Sequence, residues 1–212
     1  LVNLSEAKFK NNYARALCYQ LFENNGVIKR QNVHQMLKNI SKEERTNLRK
    51  VGVKIGRYHI FLPKMLKPSA VELRVKLWKL YFPEDAKYTI PKPGLNFLKN
   101  ETKKNNKFLL ICGFENFDKF YIRVDILERL FLKIIENIKD NIFKIDSGMM
   151  NLIGCSKENF SRLLELMNYK NKNNKGEFFI YKPKLLKNKS LKKNKKISKD
   201  NPFEKLSEIR FR

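Results

Sequence analysis

Between residues 49 and 57, basic side chains alternate with apolar ones, and such alternation can place the basic groups along one exposed edge. The basic residues are Arg49, Lys50, Lys54 and Arg57. Tyr58 and His59 follow them directly, and an exposed aromatic ring can stack on an unpaired base. This stretch therefore predicts contact with a nucleic-acid strand. The alternative of a ring buried in the core stays open for Tyr58 and is favoured for Phe61.

A second group of basic residues surrounds a helix predicted to begin after Ser156 and to end near Asn168. The helix carries Lys157 and Arg162, but two glutamates nearly cancel their charge. A helix that reads sequence in a major groove is usually more basic. The loop beyond it contributes Lys170, Lys172, Lys175 and Lys182. We therefore expect this part of the chain to pack against other elements or to grip a single strand through its loop.

The sequence contains no motif for catalysis, nucleotide binding or metal binding. It has no GxxxxGK[ST], no acidic DExH-type motif and no GxGxxG. The two histidines have no cysteine or carboxylate at ligand spacing, and the three cysteines form no CxxC. The cysteines are those of a reduced, cytoplasmic protein. We predict no catalytic residue, no cofactor site and no metal site in this chain.

Charge is the strongest signal in the composition. The 212 residues carry a net charge of +25, which is typical of nucleic-acid binders. Residues 182–212 hold 12 basic and 3 acidic residues, a net +9, so +16 lies on residues 1–181. A lysine-rich genome composition is the competing explanation. No segment predicts a membrane span, and because the chain starts at Leu1 we expect a fragment of a longer protein.

The basic residues at 49–57 are positioned by the most strongly patterned part of the chain. Gly52 suits the left-handed turn that ends a helix. Residues 53–62 favour an extended segment with a bend at Gly56. Pro63 ends that segment, and Pro68 suits the first turn of a following helix. We expect a helix, an extended segment and a second helix in succession.

The helix predicted over residues 69–82 has two adjacent apolar stripes that cover more than half of its circumference. The stripes are Val71, Val75, Trp78, Phe82 and Ala70, Leu73, Leu77, Leu80. We therefore expect the helix to be central to a core. Arg74 falls between the stripes, and we expect its stem to pack while its head reaches water.

Short helices are predicted before this stretch, and a mixture of helices and strands after it. Ser5 is a candidate cap for a helix to about Asn24, and another helix is predicted near 30–39. Ser41 begins a capping box for a helix to Lys50. Strands are predicted at 108–113 and 117–124. Residues 125–128 have the D-x-x-E pattern of a helix start.

From that helix onward the predicted order is helix, strand, helix, turn, helix, strand, which is typical of a winged helix-turn-helix. The fold class is mainly α (α+β). Its predicted parts are a helical module (1–82), a proline-containing linker (83–107), a winged-helix-like module (108–182) and a disordered basic tail (183–212). Within the tail, residues 201–210 regain a helical apolar spacing and are a candidate docking segment.

Four segments carry a family resemblance. They are YARALCYQLFENNGVIKR (13–30), LRKVGVKIGRYHIFLPKMLKPSAVELRVKLWKL (48–80), IRVDILERL (122–130) and MMNLIGCSKENFSRLLELMNYK (149–170). In this order they resemble the C-terminal region of bacterial superfamily 2, DExH-type helicases related to the mitochondrial degradosome RNA helicase. DNPFEKL (200–206) is similar to the ending that many bacterial members carry after a basic tail.

The resemblance implies an accessory region of an ATP-dependent RNA or DNA helicase. Its partners would be single-stranded RNA or DNA and the RecA-like motor domains of the same parent polypeptide, where ATP and Mg²⁺ would bind. The 49–59 block would then contact the strand or dock on the motor. Two alternatives remain: a stand-alone winged-helix regulator that reads duplex DNA, and a basic scaffold for protein docking.

Overall fold

The computed structural model of the chain describes residues 9–99, 106–172 and 177–181. Within these residues, helices are interspersed with three small antiparallel sheets of three strands each. This agrees with the predicted mixture of helices and strands. The α-helices are α1 (Asn12–Glu23), α2 (His34–Lys38), α3 (Lys42–Lys50), α4 (Pro68–Tyr81), α5 (Asn106–Ile111), α6 (Val124–Glu136), α7 (Ser147–Ile153) and α8 (Lys157–Leu166). Short 3₁₀ segments are Arg30–Val33, Pro63–Leu66 and Pro83–Lys87.

The strands form three local sheets in chain order. The first sheet is β1 (Val27–Lys29), β3 (His59–Phe61) and β2 (Lys54–Ile55), with β3 in the centre. The second is β4 (Phe97–Lys99), β6 (Phe120–Arg123) and β5 (Phe114–Phe117), with β6 in the centre. The third is β7 (Ile142–Lys144), β9 (Phe178–Ile180) and β8 (Lys170–Asn171), with β9 in the centre.

Local capping signals explain where the N-terminal helices begin. The Asn11 side chain accepts hydrogen bonds from the backbone N–H groups of Tyr13 and Ala14 at the start of α1. The Ser41 hydroxyl accepts from the Glu44 N–H at 3.2 Å, which is one of the two bonds of the predicted capping box, while Glu44 Oε1 accepts from the Asn11 N–H. The predicted cap Ser5 lies outside the described residues. The helix predicted near 30–39 is a 3₁₀ segment followed by the short helix α2.

The patterned stretch folds as its turn residues predict. Gly52 has φ +92°, in the left-handed region, and follows Val51, the residue that caps the end of α3. Strands β2 and β3 then form a hairpin in which Lys54 pairs with Phe61. Pro68 is the first residue of α4, where its missing N–H leaves no hydrogen bond unmade.

Helix α4 differs from its prediction, because only one of its two apolar stripes is covered. Val71 and Val75 are buried in a core with Phe108, whereas Leu73 and Leu77 remain 60% and 51% exposed. Leu80 on the same stripe is 76% exposed. Apolar periodicity shows which faces could be buried, but a neighbouring element must be present to bury them.

Arg74 also differs from its prediction. Its side chain is only 7% exposed, and its Nη1 donates a hydrogen bond to the backbone carbonyl of Asn25 at 3.0 Å. Burial lowers the pKa of Arg74, while the nearby Cys112 acts in the opposite direction. The guanidinium therefore joins α4 to the end of α1 instead of reaching water.

Two predictions for the middle of the chain need correction. The strand predicted at 108–113 is wrong, because 106–111 form helix α5, which buries Phe108 and Leu109. A short apolar run suits a buried strand or a buried helix equally well. The predicted linker 83–107 contributes strand β4, which pairs with β6 in the second sheet. Phe97–Lys99 are thus part of the second sheet and not of a linker.

The last part of the described chain follows the predicted order of elements. Helix α6 is followed by β7, helices α7 and α8, and the pair β8–β9. The Ser156 hydroxyl accepts from the Asn159 N–H, which caps α8 as predicted. The core of this part contains Leu127, Phe143 and Phe179. The basic tail beyond Tyr181 lies outside the described residues.

Candidate nucleic-acid interface

The turn between β2 and β3 is held by a carboxylate from helix α6. Glu128, only 8% exposed, accepts hydrogen bonds from the backbone N–H groups of Arg57 (2.6 Å), Tyr58 (2.8 Å) and His59 (2.7 Å). Charge-assisted bonds of this kind are among the stronger ones in proteins. The D-x-x-E interpretation is therefore wrong for Glu128, which fixes the turn rather than the start of its own helix.

His59 lies behind this turn in a buried charge network. Its Nε2 is 2.8 Å from Glu115 Oε2, and its Nδ1 is 3.6 Å from Glu128 Oε1. The other oxygen of Glu115 accepts a hydrogen bond from Lys29 Nζ at 2.6 Å. The His59 side chain is 3% exposed. It is therefore not available for the predicted contact with a strand and has a structural position instead.

The Tyr58 side chain also makes most of its contacts within the protein. Its hydroxyl is 3.0 Å from the Tyr169 hydroxyl, and its ring meets the edge of Phe131 at 84° and 5.7 Å. Burial, with the neighbouring Tyr169, raises the pKa of Tyr58 well above its ordinary value. These contacts favour the alternative that the Tyr58 ring belongs to the core. Phe61 is buried as expected, at 3% exposed.

Arg30 and Arg57 lie beside the same turn, and the charge of a third arginine, Arg45, acts on Arg30. Arg30 Nη1 donates to the Gly56 carbonyl at 2.7 Å, and Arg45 Nη2 donates to the Leu37 carbonyl at 2.7 Å. The Arg57 guanidinium lies over the Phe131 ring, 5.7 Å from its centre. We call Arg30, Arg45 and Arg57 the arginine cluster.

The charges of the arginine cluster interact. Burial first, then the charges of Arg57 and Arg45, lower the pKa of Arg30, and Glu128 only partly opposes them. A guanidinium keeps its proton in proteins, so Arg30 stays charged beside these neighbours. Within the described residues, none of the three forms an ion pair with a carboxylate. Arg30 and Arg45 were not predicted, because no local pattern marks them.

The other predicted basic residues divide into two groups. Five are exposed and form no ion pair in the part of the chain that the structure describes: Arg49, Lys50, Lys54, Lys170 and Lys172. By contrast, Lys157 bonds to Glu177 at 2.8 Å, and Arg162 bonds to Glu165 at 2.9 Å. Lys175 and Lys182 lie outside the described residues. Helix α8 thus offers less free positive charge than its sequence suggests.

Helix α8 also borders a groove of about 790 Å³. Asp118, Lys119 and Lys99 from the second sheet line it together with Lys157, Glu158 and Arg162 from α8. Charges of both signs therefore meet across the groove. The exposed side of α8 faces another element of the same chain, which leaves it poorly placed to enter the major groove of a duplex.

The carboxylate at the turn predicts a large effect at Gly56. A Cβ added there would overlap the Glu128 carboxylate, so we expect Gly56→Ala to lower the free energy of unfolding by about 3 kcal/mol. Urea unfolding followed by circular dichroism measures this loss of unfolding free energy. The control is Gly94→Ala, where φ is +88° but the space is open, with an expected cost of about 1 kcal/mol. Equal losses for the two variants would contradict the close packing of this turn.

Comparisons of the chain with protein-family models, with curated proteins and with solved structures found no match. Among the residues that the structure describes, no group of three or more His, Cys, Asp or Glu is placed to hold a metal ion. In the same residues, no helix has the length and apolar character needed to cross a membrane.

Proposed function

We propose that the chain is a C-terminal accessory region of an ATP-dependent RNA or DNA helicase and binds single-stranded nucleic acid without sequence preference. The observation that carries this proposal is a set of exposed cations that form no ion pair with the residues that the structure describes: Arg49, Lys50, Lys54, Lys170 and Lys172. Such side chains neutralise phosphates and release counterions. Under this proposal, RecA-like motor domains of the parent polypeptide supply ATP hydrolysis and Mg²⁺ binding.

We also propose that α6 to β9 form a winged helix. The element order and the antiparallel sheet with β9 between β7 and β8 support this, since they correspond to helix, strand, helix, helix and wing hairpin. Lys170 begins β8 and Lys172 follows it. The wing rather than α8 would then contact the strand, because the cations of α8 are paired with glutamates.

A protein-docking scaffold is the second candidate function, and one observation favours it. Leu73, Leu77, Leu80 and Tyr81 expose 51–81% of their surface along α4, and neighbouring exposed apolar side chains often mark an interaction surface. The duplex-reading alternative has less support, because α8 faces the second sheet across a groove lined by both charges.

Charge reversal separates nucleic-acid binding from scaffolding. We expect the triple variant Arg49→Glu, Lys54→Glu, Arg57→Glu to lose about tenfold or more in affinity for a labelled single-stranded oligonucleotide, with a shallower dependence on salt. All three side chains are exposed, so the fold should persist by circular dichroism. Fluorescence anisotropy across a salt series measures both quantities.

The matched control reverses three exposed basic residues elsewhere: Arg15, Lys64 and Lys76. It changes the net charge equally and should weaken binding only a few-fold. If the wild-type chain bound no oligonucleotide at low salt, the helicase-accessory proposal would fail. Unchanged binding by the first variant would instead support the scaffold.

A further inference from the structure

The Arg57 side chain lies over an aromatic ring and is still exposed to solvent. The central carbon of its guanidinium is 5.7 Å from the centre of the Phe131 ring, and the residue as a whole is exposed. Within the described residues, this guanidinium forms no ion pair with a carboxylate. A guanidinium that lies over a ring directs one face of its planar group to that ring. Its opposite face is therefore the one that can meet another flat group.

Helix α6 fixes both parts of this pair. Its Glu128 carboxylate accepts a hydrogen bond from the Arg57 N–H at 2.6 Å. Phe131 follows Glu128 by three residues, which places the two side chains on the same face of the helix. The neighbouring Gly56 carbonyl accepts a hydrogen bond from Arg30 Nη1 at 2.7 Å. The backbone that carries Arg57 is therefore held beside the ring before any ligand binds.

Aromatic contacts connect this pair to the proposed wing. The Phe131 ring meets the Tyr58 ring at 5.7 Å and lies 6.5 Å from the Tyr181 ring. The Tyr181 ring is stacked on Tyr169 at 6.2 Å, and the Tyr169 hydroxyl is 3.0 Å from that of Tyr58. Lys170, one of the exposed cations on which the proposed function depends, follows Tyr169 directly. One continuous group of rings therefore joins the β2–β3 turn to the cationic strand β8.

We propose that the Arg57–Phe131 pair is a base-stacking site, at which one base of a single-stranded nucleic acid stacks on the outer face of the guanidinium. Unpaired bases stack on aromatic side chains and on guanidinium planes. Stacking tolerates every base, because each base has a π-face. The inference rests on the proposed function and deepens it, since it adds a contact with a base to the attraction between exposed cations and phosphates.

A charge-conserving substitution in the full chain tests this site. Arg57→Lys keeps the positive charge but removes the planar guanidinium, and the exposed position makes the change compatible with the fold. The probes are two labelled single-stranded oligonucleotides of equal length, one with bases and one with abasic sugars on the same phosphate backbone. We expect Arg57→Lys to lower the ratio of their affinities, base-bearing over abasic, about fivefold. Fluorescence anisotropy measures both affinities, and their dependence on salt should not change.

The matched control is Arg49→Lys, which makes the same substitution at an exposed arginine of α3. No aromatic ring of the described residues lies beneath Arg49, so the affinity ratio should stay at the wild-type value. Phe131→Leu removes the ring beneath Arg57 and should lower the ratio as Arg57→Lys does. Because Phe131 is half-buried, circular dichroism checks that this variant folds, and the test with Arg57→Lys does not depend on it.

Three results would overturn the site. If wild type binds both oligonucleotides and Arg57→Lys has the same affinity ratio, the stacking site is overturned while the proposed function stands. An equal loss of affinity for both oligonucleotides in Arg57→Lys also overturns it, because the guanidinium would then contact a phosphate and not a base. If wild type binds neither oligonucleotide at low salt, the proposed function fails and the stacking site fails with it.

Discussion

Replacing Glu128 with alanine is expected to lower the free energy of unfolding by about 3–5 kcal/mol. The change leaves the N–H groups of Arg57, Tyr58 and His59 without their acceptor, and an unsatisfied buried donor carries its full desolvation cost. It also removes a carboxylate 3.6 Å from the His59 Nδ1. Urea unfolding with the midpoint and slope fitted together measures the loss.

The control for this prediction is Glu136→Ala near the end of the same helix. Glu136 is exposed, so its replacement should change the free energy of unfolding by no more than about 0.5 kcal/mol. The loss of unfolding free energy for Glu128→Gln should lie between those for Glu128→Ala and Glu136→Ala. The amide oxygen of the glutamine can still accept a hydrogen bond, but its NH₂ group faces N–H donors. A loss for Glu128→Ala as small as that for Glu136→Ala would show that the turn does not depend on this carboxylate.

Replacing His59 with leucine is expected to cost about 3–4 kcal/mol near pH 6, because it leaves the buried Glu115 carboxylate without one of its two partners. The same change should alter how stability depends on pH. Burial lowers the pKa of His59, but the hydrogen bond and charge of Glu115, together with the charge of Glu128, outweigh it and hold the pKa above the ordinary 6.5.

The sign of the pH effect follows from these directions. A raised pKa means that the protonated His59 stabilises the fold fully below about pH 6.5, and this contribution is lost as the pH rises through the raised pKa. Burial raises the pKa of Glu115, but His59 and Lys29 outweigh it and hold the pKa below 4.5. Its contribution is present above pH 4.5 and is lost as the pH falls through the lowered pKa.

We therefore expect the free energy of unfolding to be greatest between about pH 4.5 and pH 6.5. Thermal unfolding from acid to mildly alkaline pH measures the profile. In His59→Leu the decline on the alkaline side should be absent, because the titrating group is gone. His34→Leu is the matched control, since it removes the other histidine of the chain. A decline that persisted unchanged in His59→Leu would contradict the assignment to His59.

Helix boundaries and turns were largely predictable, because they depend on residues close together in the chain. Ser41 and Ser156 cap helices as expected, and Gly52 takes the left-handed turn. Each signal comes from a backbone requirement within a few residues. The segment at 108–113 was predicted incorrectly, because its only local signal was a short apolar run. Such a run does not distinguish a strand from a helix such as α5.

In the predicted interface, too, the properties set by neighbouring residues were predictable and those set by distant elements were not. Alternation near Lys54 correctly indicated exposed cations, because strand geometry alone separates neighbouring side chains. The same pattern placed His59 on the surface, whereas Glu115 and Glu128 surround it in the interior. Those carboxylates are contributed by β5 and α6, which no spacing near His59 could reveal.

The sequence by itself determined the strong positive charge, most caps and turns, and the order of helices and strands from α6 onward, since these follow from composition and from neighbouring residues. The tertiary structure alone decided that α4 leaves one apolar stripe uncovered, that Glu128 holds the β2–β3 turn, and that Glu115 and Glu128 surround His59. Burial and the convergence of charges depend on which distant elements pack together, and packing is a property of the whole fold.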